Sequence, residues 1–94
     1  MALVSVTDHA VERYRQRVRG ALDPRTEIAA RVGEAVLAGR TEPGRHGALL
    51  VRDVTRPDLV YVCMEDRPRG ELVVVTLWEE GENAAVPRRF TDAL

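Results

Sequence analysis

An α+β fold, with two helices packed on a three- to four-stranded antiparallel sheet, is predicted by three features of this chain. Two segments in its first half repeat apolar residues at helical spacing. Three later runs, 48–54, 59–64 and 72–78, are rich in Val and Leu and are parted by turn residues. The gaps between those runs are short, so consecutive strands pair as hairpins. The predicted order is β-α-α-β-β-β in a single domain over 1–94, closing on an irregular tail over 79–94.

Leu3–Val6 is a short β-compatible segment. Thr7 or Asp8 then caps a first helix, because a side-chain oxygen there can accept a free N–H of the first turn. Ala10, Val11, Tyr14 and Val18 fall on one arc of that helix, the arc that meets a core. Gly20-Ala21-Leu22 breaks it, and Asp23-Pro24 restarts helix with a cap residue and proline at the first position. Ile28, Ala29, Val32, Ala35 and Val36 share the apolar arc of the second helix. Glu27 and Arg31 are ordered for an i,i+4 ion pair on the other side, and Gly39 ends the helix. In the last run Val73, Val75 and Leu77 are expected on one sheet face and Leu72, Val74 and Trp78 on the other. Helices on one side leave such a second apolar face in need of cover, from the tail through Val86 and Phe90 or from a second subunit, in a homodimer or a heteromer.

A chain of 94 residues, 45% hydrophobic, supports one modest core. A net charge of −1 gives no global attraction to nucleic acid or anionic lipid, so a polyanion site must be a local patch. All 14 basic residues are arginine, which offers bidentate contacts to phosphate. No apolar run reaches the roughly 20 residues a membrane span requires, and the opening segment lacks the basic region of a signal peptide. The single cysteine, Cys63, sits in an apolar run, excludes an internal disulfide, and suits a reducing cytoplasm. Nothing in the spacing of His, Cys, Asp or Glu suggests a metal site. Phosphate-loop and nucleophile-elbow motifs are also missing, so neither cofactor nor metal is expected.

Candidate chemistry gathers on the first helix. His9, Arg13 and Arg17 stand four residues apart and form a ridge beside the apolar arc. An imidazole with two guanidinium groups can grip a phosphate; the plainer reading is a solvated helix face with a structural histidine. Arg67 and Arg69 flank Pro68 in a hairpin turn, and with Arg45 and His46 they could extend a phosphate-contacting surface; the plainer reading is a polar turn. Arg88-Arg89 beside Phe90 suits stacking on single-stranded RNA, or else docking on the open sheet face.

The element order, together with His9-Ala10-Val11-Glu12-Arg13-Tyr14-Arg15-Gln16-Arg17 and the closing strand Val74-Val75-Thr76-Leu77-Trp78, resembles the RelE/ParE-like toxin fold. It is similar in particular to small bacterial and phage proteins with an N-terminal His-Ala-x-Glu-Arg helix. The resemblance implies a metal-independent endoribonuclease or RNA-binding protein with RNA or the ribosome as target and an antitoxin-like protein as partner. His9 and Arg13 would then be catalytic, and Arg17, Arg67, Arg69 and His46 would hold phosphate. The chain departs from such ribonucleases in having no lysine and a net negative charge. That departure keeps a second reading open: a non-enzymatic protein-interaction module that retains the fold and binds through the apolar sheet face and Trp78.

Overall fold

The computed structural model describes residues 3–80. The elements run β1 (Leu3–Val6), α1 (Asp8–Arg17), α2 (Pro24–Leu37), β2 (Thr41–Pro43), a 3-10 turn (Arg45–Gly47), β3 (Leu49–Arg52), β4 (Leu59–Asp66) and β5 (Glu71–Glu79). They form an α+β domain, as the periodicities predict. The expected cover by Val86 and Phe90, and the Arg88-Arg89 pair, lie outside the described residues.

Both helices begin where their caps place them. The Thr7 hydroxyl accepts from the Ala10 N–H, and the Asp23 carboxylate accepts from the Thr26 N–H with Pro24 opening the helix behind it. After α2 the chain turns through Gly39 at φ 73°, a left-handed conformation that glycine adopts without steric cost.

Among the described residues the sheet has five strands in the order β1-β5-β4-β3-β2, and it is mixed. The expected antiparallel meander is present as β3-β4-β5, but β1 runs parallel to β5, from Leu3 opposite Glu71 to Val6 opposite Val74. A parallel neighbour needs a crossover connection, and the two helices with the meander provide it. The additional strand, β2, is three residues long and pairs Thr41 with Val51 and Pro43 with Leu49. Its brevity and its proline suit a sheet edge and hide it from periodicity.

The core lies between the helices and one face of the sheet. Ala10 and Tyr14 of α1 and Ile28, Val32 and Ala35 of α2 are buried against Val6, Val51, Leu59, Tyr61, Cys63, Leu72, Val74 and Leu77. Val36, expected on the buried arc, is exposed.

The expected alternation along β5 does not hold, because β5 carries a bulge. Val62 pairs with Thr76 and Cys63 with Val74, so Val75 has no partner on β4. That extra residue reverses the facing of everything after it. Leu72, Val74 and Leu77 therefore share the buried face. Val73, Thr76 and Trp78 share the other, in register with Met64, Val62 and Val60.

Candidate functional site

α1 lies along a stretch of β5 that has no strand beside it. β1 ends at Val6, opposite Val74, so the β5 carbonyls beyond that point have no ladder partner on this side. The first turn and outer face of α1 supply donors instead. The Thr7 N–H donates to the Val74 carbonyl, the Thr7 hydroxyl to the Val75 carbonyl at 2.9 Å, and Arg13 Nε to the Leu77 carbonyl at 3.3 Å. Further along, Arg17 Nε sits 3.7 Å from Glu79 Oε1. The His9–Arg13–Arg17 ridge is thus laid along a sheet edge, with Arg13 and Arg17 partly buried and His9 exposed.

The arginines do converge there. Arg56, from the loop between β3 and β4, reaches the same Glu79 carboxylate at 3.1 Å and Asp58 at 3.7 Å. Sequence spacing gives no hint of Arg56, since it is brought in by the loop. Arg17 and Arg56 thus meet at Glu79, with Asp58 beside Arg56 and Arg13 one helical turn back at the Leu77 carbonyl.

The remaining residues expected at a phosphate site lie elsewhere. Arg67 and Arg69 occupy the exposed β4–β5 hairpin, at the Glu71 end of β5; Arg17 meets the Glu79 end, roughly 26 Å away at strand rise. His46 stands in the 3-10 turn between β2 and β3, beside Arg45, with φ 56°. That turn is at the β2 edge of the sheet, while His9 follows β1 at the other edge, about 19 Å across five strands. The fold keeps His9, Arg13 and Arg17 on one ridge and holds His46 and the Arg67/Arg69 turn away from it.

A buried polar cluster sits between α2 and the sheet. The Asp53 carboxylate, 1% exposed, accepts from the Tyr61 hydroxyl at 2.6 Å, from the Thr55 and Arg56 N–H groups at 2.9 Å each, and from the Thr55 hydroxyl. Arg31 approaches it at 3.2 Å. The expected Glu27–Arg31 pair therefore gives way to two longer-range contacts, with Glu27 taking the Tyr14 hydroxyl at 3.0 Å. Burial raises the Asp53 pKa, but the hydrogen bonds from Tyr61, Arg56, Thr55 and Arg31 outweigh it and hold the carboxyl below its ordinary value. Burial and the bond to Asp53 push the Tyr61 phenol far up. Every acceptor is committed to a donor of the same chain, so this cluster is a clasp that fixes the 53–58 loop. An Asp two residues ahead of Thr55 is an Asx-turn signal that sequence inspection could have caught.

The second sheet face holds a sizeable hollow that touches Trp78. A groove of about 360 Å³ is lined by Pro43, Gly44, Arg45, Ala48, Leu50, Val62, Thr76 and Trp78. A neighbouring hollow of about 220 Å³ shares Leu50 and runs along Glu42, Arg52 and Val60. The lip of the larger groove is the β2–β3 loop, closed by Gly44 N–H donating to the Ala48 carbonyl at 2.8 Å and Ala48 N–H to the Arg45 carbonyl at 3.0 Å. Gly44 lets the lip approach Leu50, because a Cβ there would stand 3.1 Å from the Leu50 side chain. The groove is apolar apart from Arg45 and Thr76, and its volume is that of a small-molecule or side-chain site. The Pro43-Gly44 dipeptide is the sequence signal for this lip.

Among the described residues, no group of three His, Cys, Asp or Glu side chains could hold a metal ion, and no helix is long and apolar enough to cross a membrane. Comparisons with protein-family models, with curated proteins and with solved structures find no match for this chain.

Proposed function

We propose that this chain is a non-enzymatic protein-interaction module whose working surface is the second sheet face, centred on the groove beside Trp78. The observation that carries the reading is the groove itself: a preformed apolar hollow with a hydrogen-bonded lip, opposite the helices. Exposed apolar surface of this kind, with a half-buried tryptophan at its wall, is where binding energy concentrates. The ligand that fits is an apolar segment of a partner protein. Under the RelE/ParE-like resemblance that partner would be an antitoxin-type chain.

A photo-reactive residue at Thr76 in the full chain tests this, with the same residue at Arg69 as a control in the distant hairpin. The reading predicts one partner captured from Thr76 only. That partner, purified, should bind the wild-type chain and lose about 30-fold or more in affinity to Val62→Asp, the effect of removing a hot-spot contact. A folded chain that captures nothing from Thr76 would overturn it.

The convergence of Arg13, Arg17 and Arg56 favours a second reading, RNA binding at the Glu79 end of β5. With His9 as acid–base group, that reading becomes a toxin-type ribonuclease. It predicts growth arrest on induced expression that His9→Ala relieves, and RNA affinity that falls steeply with salt.

A further inference from the structure

We propose that residues 81–94 of this same chain occupy the groove beside Trp78, as an intramolecular occupant that a partner must displace. The proposal rests on the groove being a binding surface, and it names what regulates access to it.

The exit of the chain points to this occupant. Glu80 leaves β5 on the groove side of the sheet, where its carboxylate pairs with Arg52 at 2.7 Å and its N–H donates to the Asp58 carbonyl at 2.7 Å. Arg52 pairs with Val60, and Val60 with Trp78, so all three side chains share the open face. The chain is thus anchored two residues beyond a wall of the groove. Reach is ample: fourteen residues extend at most about 50 Å.

The composition of the segment matches the surface beside it. Val86, Phe90 and Leu94 bring three large apolar side chains to a segment that otherwise carries Arg88, Arg89 and Asp92. Opposite them, Leu50, Val62, Val73 and Trp78 are only partly buried and Met64 is exposed. A tethered apolar segment also binds at high effective concentration, so it outcompetes a second copy of the chain at ordinary protein levels.

Trp78 is the only tryptophan, so its emission reports the groove directly. The test compares the full chain with Phe90→Ser and Phe90→Leu, following Trp78 emission and acrylamide quenching over a range of concentrations. Far-UV circular dichroism checks the fold. The proposal predicts shielded, concentration-independent emission in the wild type. Phe90→Ser should red-shift it and raise the quenching constant, and Phe90→Leu should restore most of the shielding. Identical emission and quenching in wild type and Phe90→Ser would overturn the proposal. So would wild-type shielding lost on dilution, which assigns the cover to a second copy. The two readings fail separately. Unmasking by Phe90→Ser with no partner captured at Thr76 leaves the tail as a permanent cover and removes the partner. A captured partner with no effect of Phe90→Ser removes only the intramolecular occupant.

Discussion

The Tyr61 hydroxyl donates a 2.6 Å hydrogen bond to the Asp53 carboxylate, joining the centre of β4 to the loop that follows β3. Asp53 is a buried charge that stays ionised because Arg31 and four hydrogen-bond donors surround it. Removing one partner costs less than removing the acceptor. Tyr61→Phe should lower unfolding stability by about 1–2 kcal/mol, since Asp53 keeps its other donors. Asp53→Ala leaves the Tyr61 hydroxyl and two backbone N–H groups unanswered and strips Arg31 of its carboxylate, leaving it the Thr55 hydroxyl, and should cost roughly 3 kcal/mol or more. Urea unfolding of the two variants measures the order.

The same carboxylate sets an acid limit. Its folded pKa lies below the unfolded value, so its contribution is present above about pH 3.9 and is lost as pH falls through the lower folded pKa. The urea midpoint should be flat from neutral pH to about 5 and fall below about 4. Asp53→Asn should be less stable at neutral pH and lose less on acidification. An equal acid loss in both proteins would place the titrating group elsewhere.

Thr7 serves two elements at once, capping α1 and closing the Val75 carbonyl at the bulge. Thr7→Ala should destabilise by about 1–2 kcal/mol, while Thr7→Ser keeps the oxygen and should stay within about 0.5 kcal/mol. Thermal melts followed by circular dichroism distinguish them.

Along the same helix, His9 and Arg13 should behave differently. Arg13→Ala uncovers the Leu77 carbonyl and should cost about 1 kcal/mol, whereas exposed His9→Ala should change stability by less than about 0.5 kcal/mol. A large loss for His9→Ala would mean that its imidazole is part of the fold.

Burial pushes the Cys63 thiol up to about 12. At pH 8 it should therefore be inert to a disulfide reagent in the native chain and react fully once urea unfolds it. Fast reaction in native buffer would contradict the buried placement.

Much of the fold is legible in the sequence, and the exceptions share a cause. Thr7, Asp23-Pro24 and Gly39 announce the helix ends because caps act within a few residues of the chain. The apolar arcs foretell Tyr14, Ile28 and Val32 in the core. What the sequence does not disclose depends on contacts between distant elements. The Val75 bulge arises from pairing two strands and leaves no local mark, so the facing of Leu77 and Trp78 reads backwards. β2 is too short for a period, and its Pro43 argues against a strand until an edge position is known. At the candidate site, the ridge of His9, Arg13 and Arg17 is legible as a ridge. Its position along a bare strand edge, where Arg13 answers a backbone carbonyl, follows from β1 ending at Val6. The groove beside Trp78 needs the bulge, the lip and β2 together, and only Pro43-Gly44 hints at it.

Amide hydrogen exchange of the full chain, with and without the partner captured through Thr76, tests the central claim most directly. The account predicts slowed exchange in the 43–48 lip and along 73–78, with α1 unchanged. Protection confined to 8–17 and 53–58, with the lip unaltered, would place the working surface at the arginine cluster and contradict it.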